Sequence, residues 1–178
     1  MKKTFGFCFF LSVIVLIIGT GLSGQIHREY EVKSGLLYRI CKFTQWPHST
    51  AMKKNFIISI LGRTVPGKEI IIPGNQTIDK RKIVIRKIKH LSEIDDSDVL
   101  FITASEAYRI DEIVDYTCNK PILTVGDTRG FAQKGIIINF YIYMDTVRFE
   151  INYEASKKAS LQMHSQLFAI GRVVKTRS

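Results

Sequence analysis

Between Pro121 and Asn152 the chain reads PILTVGDTRGFAQKGIIINFYIYMDTVRFEIN, and no other stretch narrows the possible folds as far. Ile122 to Val125 has the apolar character of an interior strand, one covered on both faces. Gly126-Asp127-Thr128 then breaks it, with Asp127 placed to cap a short helical turn reaching Gln133. Ile136 to Tyr143 and Thr146 to Ile151 follow as two strands that pair in a hairpin across Met144-Asp145. Side chains alternate along a strand, so Val147, Phe149 and Ile151 share the core side while Arg148 and Glu150 take the opposite one.

Upstream, Val99 to Ile102 is another fully apolar strand, followed by Thr103-Ala104-Ser105-Glu106 at the spacing of a capping box. A helix from about Ala104 to Thr117 then buries Ile110, Ile113 and Val114. Strand, helix and strand in this order make a parallel, right-handed crossover. The first element runs from Tyr30 to Gln45, where Val32, Leu36, Ile40 and Phe43 stack on one helical face until Pro47 forbids continuation near Trp46. Phe56 to Leu61 reads as a buried strand and Lys82 to Ile88 as a strand with one wet face. The stretch between them, Gly62 to Lys80, is too rich in turn residues for a long helix. At the C-terminal end Asn152 caps a last helix with Glu154 in its first turn. Its apolar stripe is Ala159, Met163, Leu167 and Ile170, and Arg172, Lys175 and Arg177 sit where cations suit the helix dipole. There are no repeats or low-complexity runs. The expectation is a single three-layer α/β/α domain whose mostly parallel sheet ends in an antiparallel hairpin.

The N-terminus has the layout of a secretory leader: Lys2 and Lys3, an apolar core of roughly 14 residues from Phe5 to Ile18, then small residues. That core is short of the roughly 20 residues that span a bilayer. Residues 1–24 are therefore expected to be a signal peptide cleaved after Ser23 or Gly24, and residues 25–178 the exported domain. The formal charge of +10 stays clearly positive without Lys2 and Lys3, which suits an anionic membrane surface or an acidic partner. Export argues against nucleic acid. Two readings fit the basic run Lys80-Arg81-Lys82, Arg86-Lys87 and Lys89: a solvated, lysine-protected sheet edge, or a docking surface for an acidic partner. Cys41 and Cys118 are the only cysteines beyond the leader, so at most one intramolecular disulfide can form between them in an oxidising compartment.

Catalytic chemistry is not legible. His27, His48, His90 and His164 lack any pairing at metal-ligand spacing, so no metal site and no cofactor are expected. Ser92 and Ser105 lie in no nucleophile-elbow pattern. The Gly126-Asp127-Thr128-Arg129-Gly130 loop lacks the lysine and hydroxyl ending of a nucleotide loop. Its position matters more, because crevices in open α/β sheets form beyond the carboxyl ends of parallel strands, where Thr103-Ser105 and Gly126-Thr128 both belong. Turn and cap chemistry accounts for these residues. The alternative is a small-ligand or partner site that includes Asp127, Phe131 and Asn139. Trp46 is either a core or lid aromatic or a stacking residue, and Arg148 and Glu150 are either solvated, paired across the strands with polar groups, or turned to a partner.

Several segments share a more specific pattern. They are Leu123-Thr124-Val125-Gly126-Asp127, Gly130-Phe131-Ala132, Gly135, Ile138-Asn139-Phe140 and Val147-Arg148-Phe149-Glu150-Ile151-Asn152. Upstream, in the same order, come Leu37-Tyr38, Lys42-Phe43, Trp46-Pro47 and Val99-Leu100-Phe101-Ile102 with Ser105-Glu106. Together they resemble the YfiR family of small periplasmic regulators, over nearly the whole chain beyond the leader. The resemblance implies a protein that binds and represses the periplasmic domain of an inner-membrane signalling protein, typically a diguanylate cyclase. A membrane-bound histidine kinase is an equally physical client, a homodimer is a further assembly to consider, and the lack of a legible catalytic set makes a non-enzymatic protein the expectation. Many relatives carry a cysteine just before the Val-Leu-Phe strand, where this chain has Ser97-Asp98. Trp46, Asp127, Phe131, Asn139, Arg148 and Glu150 are the candidate ligand- or partner-binding residues, and a periplasmic small-molecule-binding protein is the alternative function.

Overall fold

The computed structural model describes residues 25–26, 28–47 and 53–177, so the expected leader lies outside the described residues. Helix α1 covers residues 28–42. It buries Tyr30, Lys33, Ser34, Leu37, Ile40 and Cys41, whereas Val32 and Phe43 are exposed. The expected face through Val32, Leu36, Ile40 and Phe43 is therefore rotated. Lys33 and Ser34 interrupt the apolar stripe yet are buried, because each finds polar partners: Lys33 pairs with Asp127, and Ser34 Oγ accepts from the Ile71 amide at 3.0 Å. The helix stops before the expected Gln45 because Thr44–Gln45 form strand β1, antiparallel to β9 (Gln162–Met163).

The main sheet contains β2 (Asn55–Leu61), β3 (Thr77–Ile78), β4 (Arg81–Ile88), β5 (Val99–Ile102), β6 (Leu123–Gly126), β7 (Ile138–Tyr143), β8 (Thr146–Asn152) and β10 (Arg172–Val174). Its eight strands lie in the order β10-β8-β7-β6-β5-β2-β4-β3. From β4 to β7 neighbours are parallel, and β7 and β8 form the expected antiparallel hairpin. A strand not anticipated, β10, runs parallel to β8 outside that hairpin. Gly62 to Lys80 forms no long helix, as expected, and contributes only the short edge strand β3.

Both sheet faces are covered. On one, Phe56, Ile58, Phe101, Leu123, Val125, Phe140 and Phe149 meet α1 and the C-terminal elements in one apolar cluster. On the other, Leu61, Leu100 and Ile102 meet Ile110, Ile113 and Phe131 from α2 (Ile110–Thr117) and α3 (Phe131–Lys134). Between β5 and α2 the chain winds as a tighter 3-10 helix, Ala104–Arg109. The expected capping box does not close, since Thr103 Oγ1 bonds Ser105 Oγ at 2.9 Å and Glu106 Oε2 accepts from Arg109 Nε at 2.6 Å.

The single C-terminal helix expected from Asn152 is broken. Asn152 does cap α4 (Tyr153–Lys158), its Oδ1 accepting from the Ala155 amide at 3.0 Å, with Glu154 in the first turn. Ser160 then adopts a left-handed backbone (φ 57°), Leu161 is buried, and β9, α5 (Ser165–Ile170) and β10 follow. Of the expected stripe, Ala159 and Leu167 are buried but Ile170 is exposed. Backbone pairing with β1 and β8 outcompetes the continuous helix.

Candidate functional site

Asp127 follows the carboxyl end of β6 and points to the α1 side of the sheet. Its Oδ2 accepts from the Tyr30 hydroxyl and, at 2.9 Å, from Lys33 Nζ. Lys33 also meets Glu29 Oε1 at 2.5 Å and sits over the Tyr30 ring, 4.3 Å from its centroid. The Lys33 and Asp127 side chains are 4% and 8% exposed, so this is a desolvated ion pair rather than a screened surface contact. Burial and the adjacent carboxylate push the Tyr30 hydroxyl well above the ordinary phenol range, which keeps it protonated as a donor. Asp127 does not cap α3. Gly130, in a left-handed conformation (φ 89°), occupies that position.

On the opposite face a polar row crosses the strands in register: Gly126 beside Asn139, Asn139 beside Glu150, Glu150 beside Arg172. Glu150 accepts from Gln133 Nε2 at 3.2 Å, from Asn139 Nδ2 at 3.4 Å and from the Arg172 guanidinium. Of the readings open for Glu150 the structure takes pairing across the strands, because α3 and β10 close over that side of the hairpin and leave the residue buried. Phe131 lies against Gly126, where a β-carbon would come within 2.6 Å of its ring. Asp127, Phe131, Asn139 and Glu150 are thus neighbours around the end of β6, divided between the two faces of the sheet.

Trp46 and Arg148 lie apart from this group. Trp46 Nε1 donates to the Asp98 carbonyl at 3.2 Å and its ring meets Phe56 edge-on at 5.1 Å, which places it at the amino ends of β2 and β5 as a core-covering aromatic. Arg148 is exposed on β8. Beneath Trp46 is a group that the sequence reading missed. Asp98 is fully buried, with Oδ1 2.9 Å from Arg81 Nη1 and Oδ2 accepting from the Ile57 amide at 2.8 Å. Arg81 belongs to the basic run for which a solvated edge or an acidic docking surface is expected, yet it is 5% exposed. The available signal was Ser97-Asp98 directly before four apolar residues, since a carboxylate there can be accommodated only with a partner.

Cys41 and Cys118, the pair open to a disulfide, are both free thiols in this structure, Cys41 on the buried side of α1 and Cys118 half-buried at the end of α2. Burial first, and then the Asp98 charge, push the Cys41 thiol far above its usual range. With iodoacetamide at neutral pH, mass spectrometry of the folded protein is expected to locate the adduct on Cys118, with Cys41 labelled only after unfolding in urea. Rapid native labelling of Cys41, or a peptide linking the two cysteines, would contradict this arrangement.

Beside the Asp127 network is a cleft of about 450 Å³ between α1 and the segment from Gly67 to Gln76. Tyr30 belongs to both, lining the cleft while its hydroxyl donates to Asp127. Among the described residues no cluster of His, Cys, Asp and Glu can hold a metal ion, and no helix is long and apolar enough to cross a membrane.

A family model described as YfiR/HmsC-like matches residues 30–172, a range that takes in every strand of the sheet except the last residues of β10. No curated protein matches the chain. The match contains the Asp127 network from Tyr30 onward, the Glu150 row and the Trp46–Asp98 contact. The chain belongs to the YfiR/HmsC-like family.

Proposed function

We propose that the protein is a periplasmic, non-enzymatic regulator that binds the periplasmic domain of an inner-membrane signalling protein, a diguanylate cyclase or a sensor kinase, and holds it inactive. Family membership supports the regulatory class. The observation that carries a protein partner is the β7–β8 arm. β7 pairs with β6 only at Ile138 and Asn139, and β10 covers β8 only from Glu150 to Asn152. Residues 140–149 therefore continue as a two-stranded ribbon with Ile142, Tyr143 and Met144 exposed, Met144 to 80%. A ribbon with no further strands gains little stability from an apolar tip, so such a tip suits a partner better than the fold. The turn points the same way: Met144 and Asp145 both hold left-handed backbone (φ 46° and 55°), where glycine or asparagine is the usual choice. Arg148 lies on the same arm and favours an acidic partner surface.

Repression requires tighter binding to the inactive conformation of the client, because equal affinity for both conformations shifts nothing. Met144→Asp tests the arm. The residue is exposed, so the urea midpoint is expected to stay unchanged while recovery of the cyclase or kinase from solubilised inner membranes falls at least tenfold and client output rises. Undiminished recovery of the same client by Met144→Asp removes the arm from the interface. Failure of the unaltered protein to retain any signalling protein, with thermal stabilisation by a small molecule, would favour the binding-protein alternative.

A further inference from the structure

We infer that the cleft between α1 and the Gly67–Gln76 segment is a binding site for a small organic ammonium ion with an apolar body. At about 450 Å³ it falls in the range that small-molecule sites occupy, and Tyr30, Tyr38, Ile71, Ile72 and Pro73 give its walls an apolar part. Its charge runs against that of the chain. Lysine and arginine outnumber aspartate and glutamate by 26 to 16, yet the ionisable side chains lining the cleft besides tyrosine are Glu31 and Glu69, and no described lining residue is basic. Lys33, on the same helix, is turned to Asp127 and Glu29.

A second feature specifies the ligand further. Gln76 lines the cleft, and its Oε1 is buried and accepts no hydrogen bond among the described residues. An acceptor left in that state costs free energy that a bound donor recovers. A protonated amine supplies N–H donors to Gln76 and charge complementary to Glu69, and Tyr38 provides aromatic surface for its body or its cationic head. An anionic ligand meets the carboxylates, and a quaternary ammonium has no hydrogen to give Gln76. The cleft is also connected to the interior, since the Tyr30 hydroxyl holds Asp127 and Ser34 Oγ holds the Ile71 amide. Binding is therefore expected to be felt across α1, the Gly67–Gln76 segment and the end of β6. The inference stands independently of the client proposed above.

The test uses the purified protein, naphthylethylamine as the cationic probe and naphthylpropanoate as its anionic counterpart of similar size, with amide correlation spectra as the readout. Saturable shifts at Gly35, Gly67 and Gln76 are expected with the amine at neutral pH, and binding of the acid at least tenfold weaker. Glu69→Gln is expected to weaken the amine several-fold while leaving the unfolding curve in place, since the residue is exposed. Gln76→Leu is expected to weaken it several-fold without altering any weak binding of the acid. Equal affinity for the two probes, shifts centred elsewhere, or no saturable amine binding overturns the assignment.

Discussion

Asp98→Ala is expected to lower the unfolding free energy by about 3–5 kcal/mol, the range for removing one member of a buried ion pair. Asp98 has no exposed surface, and it faces an Arg81 guanidinium that is itself 5% exposed and lies 4.9 Å from the Phe56 ring centroid. The substitution leaves the arginine charge in the interior without its carboxylate and deprives the Ile57 amide of its acceptor at the start of β2. Domains of this size are stable by about 5–15 kcal/mol, so the loss is a large fraction of the total. Urea denaturation followed by circular dichroism gives the difference directly. A second variant separates charge from packing: Arg81→Met combined with Asp98→Leu should lose clearly less than Asp98→Ala, because no uncompensated charge stays buried. A loss below about 1 kcal/mol for Asp98→Ala would mean that water reaches the pair and that the network is peripheral to the fold.

Gly62→Ala is expected to cost about 2–5 kcal/mol, the sum of a backbone contribution and a steric one. Gly62 ends β2 with φ 98°, and a β-carbon there would lie 2.3 Å from Thr103 Oγ1, 2.6 Å from Ser105 Oγ and 2.7 Å from Glu106 Cγ. The parallel strands β2 and β5 leave the sheet at this point, and the chain must turn away while the 3-10 helix passes directly over it. Adding a methyl group therefore pushes that helix outward and weakens the Arg63 amide bond to Ser105 Oγ, now 2.9 Å. The two contributions can be told apart. Thr103→Ala in the Gly62→Ala background removes the closest collision and should restore part of the loss, whereas the backbone part remains. An unchanged urea midpoint for Gly62→Ala would show that the turn and the helix above it relax freely.

Both positions illustrate why one end of the sheet was readable and the other was not. Val99 to Ile102 announces an interior strand because an uninterrupted apolar run has no face left for water, and Ile122 to Val125 does so with Thr124 as its one polar residue. The hairpin was equally legible from alternation, with its turn at Met144-Asp145. Asp127 was legible as special only through its position after a strand. Its partners Tyr30 and Lys33 come from almost 100 residues earlier, at separations of 97 and 94 positions, and no local pattern connects them. The sequence leaves Glu150 and Arg81 open for a common reason: a charged residue in a strand is ordinarily solvated, and both are buried here because an arginine or an aspartate distant in sequence meets them.

Local chemistry by itself determined the number and kind of interior strands, the hairpin, the cap at Asn152 and the turn-rich character of Gly62 to Lys80, since hydrophobic periodicity, side-chain capping and turn propensity act within a few residues. The tertiary structure alone decided which face of α1 is buried, where the C-terminal chain breaks into α4, α5 and two short strands, and which charges go inside. Those outcomes depend on partners that only folding brings within hydrogen-bonding distance, and a desolvated charge or an extra strand is stable only when such a partner is there to receive it.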